Sequence, residues 1–181
     1  MKETNQLEES LCKYVLSPGE KDTLNNLARW ATSVPHLPNI PVWSTFNVVD
    51  RIGGYRERAF DPVCVMNIKK SYGGSTAVYK ELILAVERDK EFIRRQVELY
   101  NPDVAVCCGS VVFELLHSKV YPVPRINSTS NGIDWFLTDG RIAFVSFYHP
   151  GAHYPAHLMC YGLLLAVKEI LEMRRGLGDE A

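Results

Sequence analysis

The feature that most constrains this chain is an alternation, between residues 60 and 174, of short apolar runs with longer stretches of helical periodicity. Val63-Cys64-Val65-Met66 and Val104-Ala105-Val106-Cys107-Cys108 have the length and composition of strands buried on both faces. Between them, Tyr79, Leu82, Val86, Ile93, Val97 and Tyr100 share one face of a helix predicted over 76–100. Lys90 interrupts that stripe and predicts a bend or a division, and Asn101-Pro102-Asp103 closes the helix. Gly109-Ser110 opens a short helix to about residue 118. Ile133–Thr138 and Arg141–Tyr148 flank Asp139-Gly140, the preferred chemistry of a two-residue hairpin turn. A last helix runs from near Pro155 to about Arg174, with Leu158, Leu164, Ala166, Val167, Ile170 and Leu171 mostly inward. Strand and helix in alternation predict an α/β fold, three-layer α/β/α with a mainly parallel central sheet.

Residues 1–55 read differently. Leu7, Leu11, Tyr14 and Val15 share a helical face, and Ser17-Pro18-Gly19-Glu20 looks like a helix start. Leu24, Leu27, Ala28 and Ala31 continue a second helix on one stripe. Three prolines in 34–41 predict an extended connection. Trp43, Phe46, Val49 and Ile52 then recur at helical spacing up to Gly53-Gly54. The expected organisation is a single domain over 1–181, a helical portion at 1–55 and an α/β core at 60–174.

Lys and Arg total 20 against 21 Asp and Glu, so no global basic field announces a nucleic-acid partner, although a local patch would serve a small enzyme. The polar start lacks the apolar core of a signal peptide, and no run approaches the ~18 apolar residues of a membrane span. Five cysteines without a CxxC pair, two of them inside apolar runs, predict a reduced cytoplasmic protein.

Ligands of open α/β sheets bind outside the carboxyl ends of the strands. That rule selects Asn67-Ile68-Lys69-Lys70 with Gly73-Gly74-Ser75, then Gly109-Ser110, then Tyr148-His149-Pro150-Gly151-Ala152. Asn67 offers an acceptor and a donor side by side, suited to a nucleobase edge or to tying down its own loop. His149, extended before Pro150, can donate to a developing oxyanion, shuttle a proton or cap a backbone carbonyl. Gly73-Gly74-Ser75-Thr76 before a helix can hold a phosphate, with Lys69 and Lys70 adding charge, or serve as an ordinary glycine turn with a cap. His149, His153 and His157 recur every four residues, but Pro150, Gly151 and Pro155 break the helix that would align them, so no metal is expected. Arg94-Arg95 and Arg174-Arg175 read as solvated helix faces.

Taken in order, VCVMNIKKSYGGSTA, RDKEFIRRQVELYNPDVAVCCGS and VSFYHPGAHYPAHLMCYGLL resemble the uracil-DNA glycosylase superfamily over roughly residues 60–170. The middle stretch looks like its central βα unit, and His149-Pro150-Gly151 looks like its His-Pro-Ser motif. The resemblance implies a DNA-repair hydrolase fold without a cofactor. It implies that Asn67 bonds the uracil edge, that His149 bonds uracil O2 and stabilises the departing anionic base, and that His153 and Tyr154 wedge beside a flipped nucleotide. Asn67 and His149 are then the catalytic pair, facing one nucleobase-sized pocket. Departures accompany it: residues 1–55 contain no Gly-rich loop with a water-handling carboxylate, Asp50 and Asp61 lack its context, Gly151 stands where the motif has Ser, and the cysteines lack iron–sulfur spacing. Three readings follow: a nucleobase- or DNA-binding protein that excises uracil or a damaged base; a non-catalytic nucleotide or nucleic-acid sensor of the same fold; and a hydrolase or transferase acting on a small phosphorylated compound at Gly73-Gly74-Ser75. The third lacks a nucleophile elbow.

Overall fold

The computed structural model describes residues 21–46, 58–61, 63–69, 78–139 and 141–178. The chain is mixed α/β and divides into two compact units, one of Met1–Val63 with His149–Leu164, the other of Cys64–Tyr148 with Leu165–Ala181. Each is taken by itself.

The second unit holds the sheet. Helix α3 (Tyr79–Tyr100) precedes β1 (Val104–Cys108), helix α4 (Ser110–Leu115), β2 (Asn127–Ser128), β3 (Asp134–Thr138) and β4 (Ile142–Phe147). The strands lie in the order β1-β4-β3-β2. β1 runs parallel to β4, with Cys108 opposite Phe147, whereas β3 is antiparallel to β4 and β2 to β3. Among the described residues, then, one strand pairing is parallel, because a hairpin returns β4 directly beside β3. That hairpin is a residue longer than expected: Thr138 pairs with Ile142, and Arg141 N–H donates to the Thr138 carbonyl at 2.7 Å, with Asp139 at φ 41°.

β4 is the central strand, and all but Ser146 of its side chains are buried. Period-2 alternation divides the sheet's side chains between two apolar clusters. Phe136 and Phe144 stack at 4.9 Å on one face, joined by Phe113 and Leu115 of α4 and by Val86, Ile93 and Val97 of α3. On the other face Trp135, Ala143 and Val145 meet Ile170. Ile170 belongs to helix α5 (Ala156–Gly178), whose run passes through both units. α3 is continuous past Lys90, since Lys90 sits at the helix surface and pairs with Glu87. Its two ends differ from expectation: Tyr79 and Tyr100 are exposed. After α4 the chain widens into one turn, closed by Tyr121 N–H on the Leu116 carbonyl. Arg94 donates to the Val120 carbonyl there and lies over the Tyr121 ring, so it braces that turn while its side chain stays partly exposed beside Glu91.

The expected strand at Val63–Met66 is not a strand. Residues 63–67 carry no ladder pairing, Cys64 and Val65 are exposed, and Met66 and Ile68 turn towards the core.

The first unit contains α1 (Lys21–Ser33), a 3-10 turn at Val34–His36, the short helix α2 (Trp43–Phe46) and the beginning of α5. The connection after α1 is therefore turned rather than extended, with Leu37 N–H on Val34 and Asn39 N–H on His36. Leu24, Ala28 and Ala31 are buried as the periodicity predicts, but so are Asn25, Asn26, Arg29, Trp30 and Ser33. The expected helix before residue 17, its successor's start at Ser17–Glu20 and the continuation past Phe46 lie outside the described residues. No described helix is long and apolar enough to cross a membrane.

Candidate functional site

Asn67 belongs to one unit and His149 to the other, so each is described where it stands. In the sheet unit, parallel pairing brings the carboxyl ends of β1 and β4 to one edge. Gly109 joins them there: its N–H donates to the Phe147 carbonyl at 2.7 Å. Its φ of 117° lies where L side chains are strained, although open space surrounds a Cβ, so glycine is required by backbone rather than by crowding. Ser110, exposed, follows at the start of α4, and Tyr148 leaves β4 half exposed, with its ring edge-on to Phe147. Asn67 is exposed and anchored by buried Ile68 beside it. Lys69 carries an ion pair to Glu81 in the first turn of α3 at 2.9 Å, so its charge already has a partner. Lys70, Gly73, Gly74 and Ser75 lie outside the described residues.

In the other unit, His149 heads a tight loop. Ala152 N–H donates to the His149 carbonyl, and Gly151 N–H donates to His149 Nδ1 at 3.1 Å. An Nδ1 that accepts carries no proton, so the neutral ring holds its proton on Nε2. His149 is exposed, which leaves that Nε2–H a donor for whatever approaches. Pro150 is buried beneath it, and its carbonyl accepts from Asn26 Nδ2 at 2.7 Å. Arg29 in turn donates to Asn26 Oδ1 at 2.9 Å and lies over the Trp43 ring at 5.5 Å. Thr23, Asn26 and Arg29 are spaced to share one side of α1. This polar row supports the loop and was missed from sequence; three polar residues at i, i+3 and i+6 of one helix were the available signal.

Gly151 also has a packing reason. A Cβ there would lie 2.7 Å from Thr23 Oγ1 and 3.2 Å from His149 Nδ1. Thr23 thus occupies the space a larger residue, such as the Ser of the resembled motif, would need. His153 and Tyr154 are exposed on the loop, and His157 packs edge-on against Trp43 at 5.9 Å. No group of three or more His, Cys, Asp or Glu suited to a metal ion occurs among the described residues.

The thiols of Cys107, Cys108 and Cys160 are quiet. Burial pushes Cys108 and Cys160 up to about 11 and Cys107 further still. Neither β1 cysteine has the thiolate character of a nucleophile. Compared with family models, curated proteins and solved structures, the chain finds no match.

Proposed function

We propose that this chain is a uracil-DNA glycosylase-like protein of three-layer α/β/α plan that binds a nucleobase or DNA, acting in the cytoplasm. The observation that carries the reading is the hydrogen bond from Gly151 N–H to His149 Nδ1, which leaves an exposed Nε2–H as the donor. A neutral imidazole donor suits a base carbonyl in the ground state, and it strengthens as negative charge collects on that oxygen during N-glycosidic cleavage. Exposed Asn67 supplies the acceptor–donor pair that a nucleobase edge requires. Exposed His153 and Tyr154 offer ring faces on which a neighbouring base stacks.

Residues 149–164 contain no carboxylate, and nothing in the first 55 residues matches a water-activating loop. Those two facts favour a second reading, binding without turnover.

Titration with uracil, and a cleavage assay on a uracil-containing oligonucleotide at high protein concentration, test both. Binding by wild type and a loss of tenfold or more in His149→Ala, roughly 1.4 kcal/mol, are expected. Release of free uracil, read as an abasic site at which alkali then breaks the strand, selects excision, and binding alone selects the sensor. Unchanged affinity in His149→Ala refutes the assignment.

A further inference from the structure

From His149 to Leu164 the chain has no Lys, Arg, Asp or Glu. Its polar groups are three imidazoles, two phenols, one thiol and the backbone. Among the described side chains of the unit that holds this loop, the cations are Arg29 and Arg58. Arg29 is 8% exposed, donates to Asn26 and lies over the Trp43 ring, so its charge is spent inside the fold. Arg58 is exposed, but its neighbour Ala59 packs on Ala28. Two positions at ~100° each put Ala28 about 160° round α1 from Asn26, the residue that holds the loop. Arg58 is therefore anchored on the far side of α1. At the start of α5, Pro155 has no N–H, and the Leu158 and Met159 N–H groups both donate to the Pro155 carbonyl, which leaves few backbone donors for a phosphate.

What the loop offers suits an uncharged ring. His149 presents its Nε2–H, His153 and Tyr154 are exposed, and half-buried Trp43 holds the exposed His157 ring edge-on at 5.9 Å.

We propose that the His149 loop takes an uncharged nucleobase or nucleoside, and not a nucleotide or a polynucleotide strand. This rests on the base-binding reading of His149 given above and narrows its ligand. Phosphate contacts supply a large share of a protein's affinity for a strand, and the steepness of its salt dependence records how many phosphates are neutralised. A loop that neutralises none recognises its ligand by hydrogen bonds and ring stacking, which added salt leaves largely unchanged.

The full chain with isotope-labelled histidines is titrated at pH 8 with uracil, uridine, uridine 5′-monophosphate and a short uracil-containing single strand. NMR follows the His149 imidazole, its signal identified as the one lost in His149→Ala, so that binding elsewhere on the chain does not enter. Uracil and uridine are expected to bind. The monophosphate and the strand are expected to bind no more than about threefold tighter than uridine, with less than about a twofold change between roughly 50 and 200 mM salt. Neutralising two phosphates would instead weaken binding about sevenfold over that range, at a slope of ~0.7 per phosphate. A monophosphate or strand that exceeds uridine by more, or that weakens sevenfold with salt, overturns the proposal and leaves the base-binding reading standing. No response of His149 to any of the four ligands sinks that reading as well.

Discussion

Replacing Gly151 by alanine places a methyl carbon 2.7 Å from Thr23 Oγ1 and 3.2 Å from His149 Nδ1. The first distance lies inside van der Waals contact, and Thr23 stands on a helix whose neighbouring Asn26 is bonded to Pro150 of the same loop. Helix and loop therefore cannot simply part. Overpacking of this kind costs about 1–3 kcal/mol. At roughly 2–4 °C per kcal/mol for a chain of this size, Gly151→Ala should lower Tm by about 2–12 °C. The decisive measurement is a double-mutant cycle by urea denaturation. Thr23→Ala removes the crowding oxygen, so Gly151→Ala should cost at least about 1 kcal/mol less in that background. Thr23→Val retains an atom of similar size at that place and should give no relief. A Gly151→Ala cost unaffected by Thr23→Ala would refute this account of the loop. The same cycle read by uracil affinity tests whether the crowding displaces the His149 ring.

Asn26→Ala leaves the Pro150 carbonyl and the Arg29 guanidinium each short of a buried partner, and should cost about 1–3 kcal/mol with faster amide exchange at residues 149, 151 and 152. The buried thiols set a pH dependence. Unfolded cysteine ionises near 9, whereas Cys108 and Cys160 ionise near 11 in the folded chain. Folded pKa values above unfolded ones mean that the stabilisation is fully present below pH 9 and is lost as pH rises from 9 towards 11. Urea midpoints should fall over that window, and the fall should shrink in Cys108→Ala/Cys160→Ala.

Those elements whose periodicity was long or whose turn chemistry was specific were legible in the sequence. The helix at 79–100, the strand at 104–108 and the strand pair flanking Asp139 appear where local pattern put them, although Tyr79 and Tyr100 are exposed, the 104–108 strand is only partly buried and the turn is a residue longer. Val63–Met66 failed for the opposite reason: four apolar residues satisfy a strand's composition, but a strand exists only where a neighbour supplies hydrogen bonds. The site divides the same way. Position after β4 nominated His149, but nothing in the residue's own neighbourhood indicated which ring nitrogen would be free.

By itself the amino-acid sequence determined the mixed α/β class, most of the buried face of the long helices and the loops that leave β1 and β4, since these follow from side-chain spacing and backbone preference over short distances; Tyr79, Tyr100 and Leu158, read as inward, are exposed. Only tertiary structure decided that β4 lies between β1 and β3, that Asn26 holds the Pro150 carbonyl across 124 positions, and that Thr23 leaves room at residue 151 for glycine alone. The physical reason is common to all three. A hydrogen-bond partner or a van der Waals neighbour distant in the chain is chosen by how the folded chain packs, and no local period records it.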